Sequence, residues 1–146
     1  LLTGCALALR QTLGPRVLII GAEPEGAPSM KLSLERGTAV RLDAITTKVQ
    51  GLCPPGSGVL NTEICGLLVD SVVTLSDEEI FAAQRELVRR GDWTVEPAGA
   101  AAAALVLAKK LPAPYVSSRT SENPLRVAVV VSGGNPDPAQ LAAIRG

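Results

Sequence analysis

Three short segments of this chain combine a polar or charged side chain with Gly or Pro, as ligand-contacting corners do. They are Glu23-Pro24-Glu25-Gly26, Glu96-Pro97-Ala98-Gly99 and Ser132-Gly133-Gly134-Asn135. A hydroxyl just ahead of two glycines is a directional hydrogen-bonding group beside backbone that a ligand can approach closely. A tight turn accounts for the same Ser-Gly-Gly, and a carboxylate at a helix start accounts for Glu96 through the helix dipole. Glu23 beside Pro24 reads by itself as a loop residue. What the chain lacks narrows the chemistry further. With 0 His, Ser-His-Asp and Cys-His catalysis, His-ligated metals and His general bases are excluded. Lysines, carboxylates, hydroxyls, thiols or a cofactor remain.

The elements that must position these corners follow from composition and pattern. A length of 146 residues is one domain's worth, and 47% hydrophobic with 19% charged is the balance of a globular protein. With one Trp, one Tyr and one Phe, the core must be built from Leu, Val, Ile and Ala, which suits helices packed closely on a Val-rich sheet. Fourteen basic and 14 acidic residues cancel. Without a basic stripe or stacking aromatics, nucleic acid is not an expected partner. No run approaches the roughly 18 apolar residues that cross a membrane. Leu1-Leu2-Thr3-Gly4-Cys5 has no basic leader and reads as the abrupt start of a fragment rather than a signal peptide. Cys5, Cys53 and Cys65 are odd in number and without C-x-x-C spacing, which argues against a zinc site or disulfide framework and for a reducing cytoplasm.

Along the chain, helices are expected over 1–13, closed by Gly14-Pro15, over 28–36, ending at Gly37, and over 59–68. Strands are expected over 16–22 (RVLIIGA), 71–75 (SVVTL) and, most clearly, 125–131 (LRVAVVV). Ser76-Asp77-Glu78-Glu79 has capping-box spacing and opens a helix to about Arg90. Trp93 to Val95 is extended. Glu96-Pro97 starts an alanine-rich helix ending near Lys109-Lys110, and Pro136-Asp137-Pro138 starts a last short one. Segments 51–58 and 112–124 read as loops. Strands alternating with helices predict a three-layer αβα arrangement on a mainly parallel sheet, a single α/β domain over residues 1–146. Ligands of such sheets sit beyond the carboxyl ends of the strands, where the three corners fall.

Taken in order, these segments resemble the threonine/serine dehydratase and serine racemase family of fold-type II pyridoxal-phosphate enzymes. The resemblance is carried by Leu1-Leu2-Thr3-Gly4, Glu23-Pro24-Glu25-Gly26-Ala27, Leu67 with Val69-Asp70, Val72 to Ile80, Val95 to Ala100 and Val129 to Asn135. It covers the chain from end to end and implies part of the large catalytic domain, its carboxy-terminal portion. It implies pyridoxal 5'-phosphate as cofactor and loss of water and ammonia from a small amino-acid substrate to give a 2-oxo acid. A parent homo-oligomer is also implied. Racemization, another fold-type II lyase activity or a non-catalytic truncated module are the alternatives. An unrelated nucleotide-binding α/β domain finds no G-x-G-x-x-G or P-loop pattern to support it.

In the family a glycine run that holds the cofactor phosphate and a Schiff-base lysine precede the matched region. None of Lys31, Lys48, Lys109 and Lys110 stands in that lysine's context, so no catalytic residue is expected here and the chain alone is expected to be inactive. The resemblance assigns cofactor contacts to Ser132, whose hydroxyl meets the pyridine nitrogen, to Gly133 and Gly134 at the ring edge, and to Glu96 and Gly51 beside it. Members with a divalent cation place a carboxylate at Glu23, a backbone carbonyl at Ala27 and a second carboxylate where Ser29 stands. Ser29 removes a hard anionic ligand, so Glu23 and Ala27 are expected to make a weak metal site at most. Gln50 stands where members carry Asp.

Overall fold

The computed structural model describes residues 1–117 and 119–146. It contains two compact units, residues 1–77 and 78–146. Residue 118, inside the expected loop 112–124, lies outside the described residues.

In the first unit, α1 (Leu2–Leu13) ends where Gly14 takes φ +64, and a single 3₁₀ turn (Gly14–Arg16) follows. Strand β1 (Ile20–Pro24) leads to α2 (Ser29–Arg36), and α3 (Val59–Leu68) leads to β2 (Ser71–Leu75). The strands pair in parallel from Ile20 opposite Ser71 to Pro24 opposite Leu75. The α2 helix packs on both strands and on α3, while α1 packs on α3. Cys65 and Leu75, both fully buried, belong to this core, as does Ala6.

The expected strand over 16–22 begins later, and the reason is electrostatic. Asp70 Oδ2 accepts from Ile19 N at 2.7 Å and from Arg10 Nη2 at 2.7 Å. Arg10 also donates from Nη1 to Val17 O at 2.6 Å and from Nε to Leu68 O at 3.0 Å. Val17 is therefore held by the α1 guanidinium and Ile19 by Asp70, and the ladder starts only at Ile20, opposite Ser71.

In the second unit, α4 (Asp77–Gly91) opens at the boundary and buries Ile80, Ala83, Gln84 and Val88 along one stripe. An uncapped stretch through Val95 leads to α5 (Pro97–Leu107), then to the short α6 (Ala113–Val116) and finally α7 (Pro138–Arg145). The Ala-rich α5 buries seven residues, from Pro97 to Leu105, on nearly all its sides, as an apolar helix without a polar face must. Asp137 caps α7 by accepting from Gln140 N at 2.9 Å.

The fold is α/β with parallel strands. Two expectations are corrected: the expected loop 112–124 contains the short helix α6, and residues 125–131 form no strand. Val127, Val129 and Val130 are exposed, and among the described residues no backbone hydrogen bond engages 125–131. β-Branched side chains favour an extended backbone, but a strand exists only through a ladder partner.

Candidate functional site

Two corners of the second unit meet. Glu96 is extended (φ −80, ψ 161) because Pro97, at the first helical position, disfavours a helical conformation in the residue before it. Glu96 N donates to Gly133 O at 2.8 Å, and Ser132 N donates to Gly99 O at 3.4 Å. The approach is so close that side chains are excluded. A Cβ on Gly99 would lie 1.4 Å from Ser132 O, and one on Gly133, where φ is +73, would lie 2.5 Å from Glu96 Cδ. Glycine is thus required by space at Gly99, where the obstacle is backbone, and favoured at Gly133 by its left-handed conformation, the Glu96 side chain being able to move aside. Ser132 is exposed and Glu96 half-buried. Among the described residues neither the Ser132 hydroxyl nor the Glu96 carboxylate takes a hydrogen bond or ion pair. The structure therefore brings Glu96, Ser132 and Gly133 together, with Gly134 next along the chain.

In the first unit Glu23, Ala27 and Ser29 also come together, for a different purpose. Glu23 Oε1 accepts from Met30 N at 2.8 Å and from Ser29 Oγ at 3.3 Å, while Oε2 accepts from Lys31 N at 2.9 Å. Ala27 O accepts from Ser29 N at 3.0 Å. The carboxylate is a remote cap on α2, satisfying amides that the helix itself leaves unpaired. Burial pushes the Glu23 carboxyl above its ordinary range, against the opposing pull of the Lys31 and Met30 amides. The donor set does not fit a hard divalent cation. One carboxylate is present, it already holds three donors, and the described residues contain no group of three metal-ligating side chains.

Gly51, also in the first unit, takes φ +87 at the third position of a turn closed by Leu52 N donating to Val49 O at 3.1 Å. A concavity of about 290 Å³ in this unit is lined by Glu25, Gly26, Thr46, Thr47, Ser76 and Asp77 and includes none of the expected site residues. Its polar wall is structural, since Thr47 Oγ1 and Lys48 N both donate to the Asp77 carboxylate, at 2.5 and 2.6 Å. The lysines behave as helix-end and loop residues: Lys109 and Lys110 follow α5, and Lys110 Nζ pairs with Glu79 at 2.8 Å.

Residues 1–133 match the family described as pyridoxal-phosphate dependent enzyme. The chain belongs to this family. An L-threonine ammonia-lyase of Thermotoga maritima is 34% identical over 94% of the chain, which spans only 31% of that relative's length. Two solved structures share the fold. Threonine deaminase isoform 2 of Solanum lycopersicum has a TM-score of 0.79 at 28% identity, covering 98% of this chain and 39% of that one. Maize serine racemase has a TM-score of 0.80 at 29% identity, covering 97% and 42%. The chain thus spans about a third to two-fifths of these relatives, and this pyridoxal-phosphate-dependent family embraces both kinds of resemblance noted in the sequence.

Three features of this family member escaped the sequence reading. The Gly99 contact hides in an alanine-glycine run that looks like ordinary helix packing. The Arg10–Asp70 anchor joins residues 60 positions apart, beyond any local pattern. Gln84 left a visible trace, a polar residue on the apolar stripe of α4.

Proposed function

We propose that the protein is a pyridoxal-phosphate-dependent threonine/serine ammonia-lyase, and that residues 1–146 are part of its catalytic domain, supplying one edge of the cofactor site. The observation that carries this reading is the Ser132 corner: an exposed, unengaged hydroxyl beside two glycines and a half-buried carboxylate. These residues fit the ring end of the cofactor, because the hydroxyl is unengaged and the left-handed backbone at Gly133 carries no side chain beside it.

Pyridoxal phosphate, when bound, supplies an electron sink for removal of the substrate's α-proton. Ser132 would donate a hydrogen bond to an unprotonated ring nitrogen, where a carboxylate would instead keep that nitrogen protonated. A tempered sink suits expulsion of a β-hydroxyl. Gly133 and Gly134 would leave the backbone close to the ring edge, and Glu96 would place negative charge beside it. The substrate is a small β-hydroxy amino acid, the products are a 2-oxo acid and ammonia, and the working form is a homo-oligomer in the cytoplasm. The three free cysteines agree with a reducing compartment. Among the described residues no helix is long and apolar enough to cross a membrane.

The test is titration of the purified chain with pyridoxal phosphate, followed by absorbance, with Ser132→Ala alongside. A cofactor spectrum that shifts on mixing and changes in Ser132→Ala supports the reading. A spectrum identical to free cofactor in both sinks the claim that this edge binds the ring. The similarity to serine racemase keeps racemization as the second reading. In the whole protein, release of a 2-oxo acid rather than the opposite enantiomer separates the two.

A further inference from the structure

Gln84 is buried to 1% exposure in the apolar stripe of α4, where a polar side chain has to justify its burial. Its Nε2 donates to Val95 O at 2.9 Å and to Gln140 Oε1 at 3.1 Å. Its own Oε1 is buried without a partner among the described residues. Reversing the amide gives no relief, since Oε1 would then face the Val95 carbonyl. The side chain therefore holds two acceptors at the cost of leaving its own acceptor unsatisfied, which a core position selected only for stability would avoid.

What those two acceptors belong to gives the arrangement its meaning. Val95 immediately precedes Glu96. Gln140 lies in the first turn of α7, the helix that follows Ser132-Gly133-Gly134-Asn135 and is capped by Asp137. Gln84 grips the chain that carries Glu96 and the helix that follows Ser132, and the Glu96 and Ser132 amides join the same two stretches of chain. Two outer ties run alongside: Arg89 Nε donates to Ile144 O at 3.1 Å, and Arg145 Nη2 donates to Asp92 Oδ1 at 3.3 Å and Thr94 Oγ1 at 3.4 Å. Arg145, Asp92 and Thr94 are exposed, whereas Gln84 is enclosed, so Gln84 is the tie least exchanged for water.

We propose that Gln84 is a positioning residue that sets the spacing between Glu96 and Ser132. The claim that this spacing serves cofactor binding rests on the functional reading above; the claim about spacing does not. Gln84→Met keeps the length of the side chain, removes both donors and also removes the orphaned acceptor. Thermal stability is expected to fall modestly, since the Val95 carbonyl loses its donor while the orphaned acceptor of Gln84 disappears. Amide hydrogen exchange at Glu96 and Ser132, followed without cofactor, is expected to quicken at least tenfold, with α4 itself unchanged. Gln140→Ala cuts one grip at a half-buried position and is expected to act in the same direction, more weakly. Unchanged exchange at both amides in both variants overturns the proposal, as does a uniform loss of protection across the whole unit in Gln84→Met. Pyridoxal-phosphate titration of the same proteins separates the two claims. Wild-type chain that fails to shift the cofactor spectrum ends the functional reading alone, whereas wild-type binding with Gln84→Met binding equally well ends the link between spacing and cofactor.

Discussion

The chain contains two Glu-Pro corners, and the structure puts them to opposite uses. Glu23-Pro24 closes β1, and its carboxylate takes two backbone amides and a hydroxyl at the start of α2. Glu96-Pro97 opens α5, yet its side chain makes no cap bond and stays available. The dipeptide is the same; what each carboxylate meets differs. At Glu23 the loop 24–28 folds back so that α2 presents its first amides to the strand end. At Glu96 the helix also begins at the next residue, as it does after the capping Asp137, but the longer Glu96 side chain lies against Gly133 and makes no cap bond, and its backbone amide is already taken by Gly133. A carboxylate beside a helix start is therefore a cap or a ligand group according to chain geometry, which residue type does not encode.

The largest effect is expected at the contact that defines the open corner. Gly99→Ala puts a methyl into Ser132 O and is expected to cost about 3 kcal/mol, read as a fall in the urea midpoint. A neutral substitution would mean that the two segments do not clamp as described, and the contrast between the corners would lose one side.

Next is the contrast itself. Glu23→Ala leaves two helix amides unpaired and is expected to cost about 1–2 kcal/mol, as loss of a helix cap does. Glu96→Ala is expected to stay within about 0.5 kcal/mol in the same denaturation measurement, since it removes no bond. Equal losses at both would break the comparison.

The pH dependence sharpens it. Burial raises the Glu23 carboxyl above its ordinary value of 4.5. Between 4.5 and the raised value the folded chain holds more proton than the unfolded chain, so this group's contribution to stability is greatest below 4.5 and falls as pH rises through the folded value. Glu23→Gln abolishes that slope. The stability of wild type minus Glu23→Gln is expected to shrink as pH rises from 4.5 and then level off. A difference that grows with pH would mean that the amide donors outweigh burial.

The smallest effect on stability concerns the valine-rich segment. Val129→Lys, at a position 36% exposed, is expected to change stability by no more than about 0.5 kcal/mol. It is also expected to lower self-association at high concentration, measured by light scattering, because a charge on an unpaired extended segment opposes edge pairing. Unchanged scattering would exclude this segment as the contact.

Much of the architecture was legible because it is written in local patterns. The spans of α3 and β2 match the expected limits at both ends, since Gly58 and the turn at Val69-Asp70 punctuate them. Gly37 in a left-handed conformation ends α2 as its type predicts. The grouping of Glu96 with Ser132 was legible only as an expectation from resemblance, because 36 positions separate residues that one backbone hydrogen bond joins through Gly133.

What the sequence determined by itself was the longer helices, the α/β class, the chemistry open to a chain without histidine and the family. Capping residues, hydrophobic period and ordered motifs act over a few positions and need no distant partner. Only the tertiary structure decided which of two carboxylates is a cap and that Gly99 must be glycine. It also placed the start of β1 at Ile20, left the valine-rich run without a strand and made Gln84 bridge two segments. Each of these depends on a backbone group or charge brought from far along the chain, and hydrogen bonds and excluded volume act between atoms in space rather than between neighbours in sequence.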